Sequence, residues 1–350
     1  MSQMPKTISF YDKDIKPYTN NASLKIDKNS YKLLKRPIEL NELTCICGAF
    51  SEDINPTFLV VEDNDGNYIY GSLAGIPELN KENKTEITGT DIKSMLSSDV
   101  ILDQTSFASV NAALQYIFGQ WNTQVNQGSF NCELVYTNDV GTIVVDNNGL
   151  IPIYVKGKYD ALEEMQSLMR FYKLYLDTKL DIVNKKIQFI IGRTMLTPAK
   201  VKLWEYGIKN YGKWVADVNE CQGYLVTTEN DVETWSDTGS IRWILTASGN
   251  VTTSSSNRDI FPIKRKIVTS NENMTDANML ALETLLDKAY NEDIELQTTE
   301  LKPNFETLFE VYTERGHGKY KDLPCGELQY NASGLVKFKI GYRYTSVNFI

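Results

Sequence analysis

Residues 58–103 constrain the fold of this chain more than any other part of the sequence. Two runs rich in β-branched and aromatic residues, 58–61 and 68–70, stand on either side of an Asp65-Gly66 pair. An Asp-Gly pair in this setting predicts a β-hairpin, because tight hairpin turns need residues that accept positive φ. The hairpin is the first fixed point of the predicted fold.

The same region continues with a pattern that predicts a small, closed β-structure with one helical turn against one end. A third strand is expected at 86–88, and Gly89-Thr90-Asp91 then opens a turn of helix with Ile92, Met95 and Leu96 on one side. A further strand is expected at 100–102. The region contains no recognisable constellation for covalent or acid–base chemistry, so we interpret it as an assembly module and not as an active site.

The remaining pattern predicts three domains, and 350 residues are enough for two or three of about 150 residues each. Residues 1–104 form a first β-barrel-like domain, with strands at 7–11, 23–26 and 43–50. Residues 105–192 form an α+β middle domain, and residues 193–350 form a second β-barrel-like domain with a helical insertion near 275–290. The predicted fold class is therefore α+β and mainly β, in agreement with a sequence that contains 20 Tyr and 13 Phe.

Two amphipathic helices define the predicted middle domain. The first is expected to be capped by Thr105-Ser106 and to bury the Phe107, Val110, Leu114 and Trp121 face. The second is expected to begin at Asp160. It precedes a hairpin of strands 175–181 and 186–191. The alternative is that residues 175–181 prolong the helix.

Charge and cysteine usage exclude several classes of protein. A net charge of −9 disfavours specific nucleic-acid binding, which needs clustered cations. The charge is explained by a negative surface that keeps the protein soluble, and it is also compatible with a conduit that DNA passes without sticking. The five cysteines are dispersed and odd in number, so neither a disulfide scaffold nor a zinc site is expected. Cys45 and Cys47 are predicted to share one face of a strand. The first residues lack the apolar core of a signal peptide, and no run reaches membrane-spanning length, so folding in a reducing cytoplasm is expected.

A search for catalytic and metal-binding residues predicts none. His317 is the only histidine and lies between two glycines, where a loop position is favoured over a general base because no nucleophile motif accompanies it. Residues 63–66 and 146–149 are turns and not calcium loops, since the ligand spacing fails. The acidic pairs Glu62-Asp63, Glu163-Glu164 and Glu292-Asp293 are expected on solvated faces. No cofactor is predicted.

One basic cluster and a set of tryptophans leave other functions open. Lys264-Arg265-Lys266 is predicted to protect a strand edge, or else to face an acidic neighbour in an assembly. Exposed aromatic residues on a concave face would suit a carbohydrate-binding receptor-recognition protein, and the candidates are Trp204, Trp214, Trp235 and Trp243. A cell-wall hydrolase is the second alternative, although its catalytic set is not found.

The segments DGNYIYGSLAGI and TEITGTDIKSMLSSDVILD resemble the first barrel of phage tail hub proteins. That family includes the N-terminal module of siphophage tail-associated lysins and the baseplate hubs of contractile tails. The likeness is carried by Tyr70-Gly71, Gly89, Asp91, Ile92, Met95, Leu96 and Ile101. Ser98-Asp99 stand where the family often has Arg. The segment from Ile153 to Ile191 resembles the family's middle helix and two strands, and the final segment from Glu327 resembles its terminal strand.

The resemblance implies a structural component of a bacteriophage or prophage tail tip. Two β-barrels per subunit and a homotrimer would give a ring of six barrels around a channel that closes or opens for DNA ejection. The implied partners are other copies of the chain, the distal tail protein, the tape measure protein and receptor-binding proteins, and the implied location is the virion. Many relatives continue into a cell-wall peptidase, and because this sequence ends at Ile350 we expect that enzyme to be absent.

Overall fold

The computed structural model describes most of the first 193 residues and a set of strands in the second half. The described ranges are 5–18, 24–27, 29–48, 55–75, 78–79, 84–104, 106–137, 154–172, 174–193, 198–202, 208–211, 221–228, 241–245, 251–252, 264–270, 294–298, 304–312, 321–331 and 336–340.

Within these ranges the chain is mainly β, with two α-helices. The helices are α1 (Val110–Trp121) and α2 (Ala161–Tyr172). A 3-10 helix spans Ile92–Leu96, and a π-helical turn, Asn122–Asn126, follows α1 directly. The strands are β1 (Thr7–Tyr11), β2 (Leu24–Lys25), β3 (Lys32–Lys35), β4 (Glu42–Cys47), β5 (Phe58–Glu62), β6 (Tyr68–Ala74), β7 (Glu78–Leu79), β8 (Thr85–Thr90), β9 (Asp99–Gln104), β10 (Cys132–Tyr136), β11 (Tyr154–Asp160), β12 (Leu174–Asp181), β13 (Lys186–Arg193), β14 (Pro198–Lys202), β15 (Ile208–Tyr211), β16 (Cys221–Thr228), β17 (Ile241–Leu245), β18 (Val251–Thr252), β19 (Lys264–Ser270), β20 (Ile294–Thr298), β21 (Leu308–Tyr312), β22 (Lys321–Asn331) and β23 (Val336–Ile340).

The predicted hairpin is confirmed as β5 and β6, which pair antiparallel. Gly66 has φ +76 in the connecting turn, the conformation that the Asp-Gly pair predicts. The third strand and the helical turn are also present as β8 and the 3-10 helix. The second strand is longer than the predicted run 68–70, so Gly71 lies within β6.

The first helix is present but begins later than predicted. Its N-cap is Ser109, whose hydroxyl accepts a hydrogen bond from the backbone N of Ala112, and Ser106 lies outside the helix. Thr105 is outside the described residues. Ser109 is the cap because its backbone is extended (φ −162, ψ 164), which lets its side chain reach back to the first turn.

The second helix and the hairpin after it follow the prediction. The backbone N of Glu163 donates to the Asp160 carboxylate at 3.0 Å, so Asp160 caps α2. β12 and β13 pair antiparallel over their whole length, so the alternative in which the helix continues through 175–181 is wrong.

The largest sheet contains 14 strands among the described residues, and it joins the two ends of the sequence. Its hydrogen-bonded path runs β15-β20-β23-β22-β3-β4-β8-β6-β5-β1-β2. The pairing of β22 with β3 links residues 328–331 to residues 32–35. Three smaller sheets are β10-β13-β12, β11-β9 and β18-β17-β16-β19.

The strand ladders of the described residues form an open path and not a closed barrel. One further contact brings the N-terminal end of this path back on itself. Ile26, immediately after β2, forms an isolated bridge with Cys47 of β4, and the backbone N of Asp27 donates to the Ile46 carbonyl at 2.8 Å. Residues 26 and 27, directly after β2, are therefore hydrogen-bonded to the end of β4.

Two apolar clusters lie on opposite faces of these strands. Leu59 and Val61 of β5 belong to an inner cluster with β1, β4 and β8, whereas Phe58 and Val60 belong to a second cluster with both helices. All four side chains are completely buried. Residues 58–61 of this strand are all apolar because alternate side chains enter different cores.

The predicted helical insertion near 275–290 and the residues after 340 lie outside the described residues. The second predicted barrel is therefore represented here by its strands alone. The three domain boundaries stay predictions.

Candidate functional site

Five of the residues that carry the family resemblance lie where β8 ends and the 3-10 helix begins: Gly89, Asp91, Ile92, Met95 and Leu96. Asp91 is the N-cap of this helix, and its side chain accepts a hydrogen bond from the backbone N of Lys93 at 3.1 Å. Ile92 and Leu96 are completely buried, as predicted, and Met95 packs against the same core. Ile101 points outward and is 54% exposed.

The two glycines of the motif allow close approach of neighbouring elements. A Cβ atom on Gly89 would lie 2.3 Å from the Ser72 Oγ and 3.0 Å from the Leu43 Cδ2. A Cβ atom on Gly71 would lie 2.9 Å from the Tyr68 hydroxyl. Packing favours glycine at both positions, since a larger residue would collide with these neighbouring side chains unless they moved.

Lys93 is completely buried, although it stands in a predicted amphipathic turn. Its Nζ lies 3.3 Å from the Asp91 Oδ2 and 3.4 Å from the Asn41 Oδ1. It also donates to the Arg36 carbonyl at 3.2 Å and to the Glu39 carbonyl. A buried amine needs such acceptors, because an unpaired charge in the protein interior is very unfavourable.

Asp91 ties three segments together. Its Oδ2 accepts a hydrogen bond from the backbone N of Asn41 at 2.7 Å. Its Oδ1 faces the Thr178 hydroxyl of β12 at 3.4 Å. We call Asn41, Asp91, Lys93 and Thr178 the polar junction; it joins the turn after β3, the 3-10 helix and β12.

Several polar atoms around the polar junction have no hydrogen-bond partner of good geometry among the described residues. They are the Asn41 Nδ2, the Glu39 Oε1 and the Tyr70 hydroxyl. The Asn41 side chain faces the Tyr70 hydroxyl, and burial raises the pKa of Tyr70 strongly. The oxygen of the Asn41 side-chain amide accepts a hydrogen bond from the backbone N of Arg36 at 2.8 Å.

A second ion pair lies next to the polar junction. The Lys35 Nζ is 2.6 Å from the Asp177 Oδ2, so it connects β3 to β12. Burial opposes the charge on both groups, but their attraction outweighs it: the pKa of Lys35 is raised and the pKa of Asp177 is lowered. The pair is about a quarter exposed or less on each side.

Cys45 and Cys47 lie on one face of β4, as predicted, and both are buried in the inner cluster. Burial raises the pKa of Cys47 to about 12 and raises that of Cys45 further. Thiols in this state are poor nucleophiles and poor metal ligands. The structure therefore gives both cysteines a packing role.

Asp63 closes the hairpin turn. Its carboxylate accepts hydrogen bonds from the Asn67 side chain at 3.0 Å and from the backbone N atoms of Asn67 and Asp65 at 2.9 Å. These bonds, with that from the Asn67 side chain the strongest, lower the pKa of Asp63. The carboxylate is saturated by its own loop, in agreement with the prediction of a turn.

The other candidates from the sequence are not brought to the polar junction. Lys264-Arg265-Lys266 lie on β19, the end strand of its sheet among the described residues, in agreement with the predicted strand edge. Glu163 is exposed on α2. His317, residues 146–149, Glu292-Asp293 and the tryptophans 204, 214 and 235 are outside the described residues, and only the backbone of Trp243 is described.

The described residues contain no group of three or more His, Cys, Asp or Glu side chains placed to hold a metal ion. In the same part of the chain, no helix combines the length and the apolar character needed to cross a membrane. Large apolar side chains that are exposed there occur singly, at Ile101, Val125, Val155 and Val183, which is ordinary for a protein surface.

Sequence reasoning missed the polar junction. It identified Asp91 as the residue that opens the helical turn but assigned no role to Lys93, Asn41 or Thr178. The chain separates Asn41 from Lys93 by 52 positions and Thr178 from Asp91 by 87, so no local pattern connects them. A lysine between Ile92 and Met95 was the only signal, and lysine is almost never fully buried.

Comparisons with known proteins identify the fold. No protein-family model matches the sequence, and no curated protein matches it. The structure is similar to the tail protein from Neisseria meningitidis MC58, with TM-score 0.55, 9% identity and 96% of each chain covered. It is also similar to prophage tail protein gp18 from Listeria monocytogenes EGD-e, with TM-score 0.53, 11% identity and 97% and 96% of the two chains covered.

A third likeness is to a chain of the Francisella PdpA-VgrG complex, with TM-score 0.52 and 10% identity. There the match covers 99% of this chain and 59% of the other. At identities this low the likeness concerns the fold. Over nearly its whole length the chain has the fold of phage tail proteins, which confirms at that level the resemblance found in the sequence.

Proposed function

We propose that this chain is a structural component of a bacteriophage or prophage tail tip, where copies of it form a ring at the distal end of the tail. The observation that carries the proposal is the fold likeness to two phage tail proteins, which covers at least 96% of this chain and 96% of each tail protein. A match of this extent includes the whole arrangement of strands and helices, and not one common motif.

The ring is proposed to be built from β-barrels, two in each subunit. The bridge between Ile26 and Cys47 supports the first barrel, since it brings β2 back to β4 around the inner apolar cluster. The strands of the second half, joined to the first through β3 and β22, are proposed to form the second. The boundaries at residues 104 and 192 are part of this proposal.

A role in assembly and not in catalysis is proposed for the whole chain. Asp63 is held by hydrogen bonds within its own loop, and Cys45 is buried in an apolar cluster. The polar junction connects segments of the chain and does not line an open cleft, since Asp91 and Lys93 are completely buried. Neither carbohydrate binding nor cell-wall hydrolysis gains support from the described residues.

The proposed partners are other copies of this chain in a homotrimer, the distal tail protein, the tape measure protein and receptor-binding proteins. The net charge of −9 supports a channel through which DNA passes without being held, because like charges repel. Closing and opening of that channel during DNA ejection, and a location in the virion, belong to the same proposal.

The oligomeric state tests this function. We expect light scattering on the purified full-length chain to give three times the mass of the 39.8 kDa subunit, and negative-stain images to show a ring with a central hole. The mass should persist across a dilution series, because a ring subunit buries a large interface. A compact monomer at all concentrations would contradict the proposal.

A further inference from the structure

The polar junction places an amine, a carboxamide and a carboxylate together in the protein interior. The Lys93 Nζ lies 3.4 Å from the Asn41 Oδ1 and 3.3 Å from the Asp91 Oδ2. Lys93 is fully buried, Asp91 is 1% exposed and Asn41 is 4% exposed. Water that would compete for these groups is therefore largely excluded.

We propose that this site forms an intramolecular isopeptide bond between the Lys93 Nζ and the Asn41 Cγ. Two side chains held in contact react as though they were at very high concentration, which favours a reaction that free amines and amides undergo very slowly. A desolvated lysine amine is a nucleophile in many protein reactions. This inference is independent of the proposed tail function.

Asp91 is positioned to move the protons. The Lys93 ammonium gives a proton to the Asp91 carboxylate, and transfer between buried partners of opposite charge removes two charges from the interior. The neutral amine attacks the Asn41 Cγ, so that the Nζ–Cγ bond forms. The attacking nitrogen then passes a proton to the Nδ2 on the same carbon, the Cγ–Nδ2 bond breaks, and the released ammonia takes up the proton held by Asp91. Ammonium leaves, and Asp91 returns to its carboxylate form.

The geometry around Asn41 suits this step. Its Oδ1, where negative charge develops during the attack, accepts a hydrogen bond from the backbone N of Arg36 at 2.8 Å. Its Nδ2, the leaving group, has no hydrogen bond of good geometry among the described residues. The fold thus supports the oxygen of this amide with a backbone donor, while the side chain faces the Tyr70 hydroxyl.

Mass spectrometry of the denatured full-length chain tests the bond. We expect the intact mass to be lower than the sequence mass by about 17 Da, because one molecule of ammonia leaves when the bond forms. Protease digestion should yield one linked species that contains the peptides of both Asn41 and Lys93, with no tryptic cleavage after Lys93. A succinimide at Asn41 would give the same mass loss with unlinked peptides, and that result would overturn the proposal.

Variants assign the roles. Asn41→Ala and Lys93→Met should each have the mass of their own sequence, and Asp91→Asn should form the bond slower by about a hundredfold or more. Lys35→Met is the matched control, because it removes the neighbouring lysine, whose partner is Asp177, and should keep the linkage. A wild-type chain that keeps its full sequence mass after prolonged incubation would overturn the proposal, whether or not the variants fold, and would leave the site as an ion pair.

Discussion

Gly89 lies where β8 pairs with both β4 and β6, and there is little space there for a side chain. It is buried between β4 and β6, and the nearest atom to an added Cβ would be the Ser72 Oγ at 2.3 Å. Ser72 is itself completely buried and cannot turn toward solvent. Tertiary contacts therefore favour glycine here, whereas the sequence singled it out only as the start of the Gly89-Thr90-Asp91 run and through the resemblance.

Gly89→Ala should lower the free energy of unfolding by about 1–3 kcal/mol, because the added methyl group overpacks a core that has no room to relax. Gly119→Ala is the matched control, since nothing lies within 4 Å of its Cβ position. Gly119 is an exposed position inside α1, so alanine there should raise stability by roughly 0.5–1 kcal/mol. Urea unfolding of both variants decides the matter, and equal stability of the two would refute the steric explanation.

At the scale of elements, local signals predicted the type of structure better than its ends. β1 matches the predicted strand 7–11 residue for residue, and β12 begins one residue before the predicted 175–181. β3, β11 and β22 were not predicted, since their sequences lack clear alternation, and β3 is a strand because β4 and β22 pair with it on either side. Strand pairing of this kind depends on distant residues.

The start of α1 is an example with a measurable consequence. Ser109→Ala should lower the free energy of unfolding by about 1 kcal/mol, because its hydroxyl accepts a hydrogen bond from the first turn. Ser106→Ala should change it by less than about 0.5 kcal/mol, as expected for an exposed residue outside a helix. Thermal unfolding of the two alanine variants should separate them; a larger loss for the change at 106 would show that the helix begins earlier.

At the scale of the whole molecule, long-range polar pairs join segments that hydrophobic burial alone would hold less specifically. Lys35 and Asp177 are 142 positions apart and connect the large sheet to the hairpin of β12 and β13. The backbone N of Leu176 donates to the Pro37 carbonyl beside them at 2.6 Å. These contacts hold the hairpin of β12 and β13 against β3 and the residues that follow it.

The Lys35–Asp177 pair should make the protein sensitive to acid. The pKa of Asp177 is lower in the folded state than in the unfolded chain, so its contribution is complete above about pH 4, the ordinary value of an aspartate, and is lost as the pH falls through the folded value. We expect the melting temperature to fall as the pH is lowered below about 4.

Asp177→Asn should lower the melting temperature at neutral pH and flatten this acid profile. Asp14→Asn is the control, because Asp14 pairs with Lys16 on the exposed surface and such pairs contribute little. Identical acid profiles for Asp177→Asn and the wild type would show that the pair does not contribute to the pH dependence.

The amino-acid order alone determined the strand-rich class of this protein, the hairpin at Gly66, the positions of both helices and the structural nature of Asp63, Cys45 and Cys47. These features depend on backbone preference and on the alternation of side chains, which act between near neighbours in the chain. The tertiary structure alone decided the pairing of β3 with β22, the burial of Lys93 and its contact with Asn41. Such features depend on which distant segments meet, and that is settled by the packing of the whole molecule and leaves no periodic trace in the sequence.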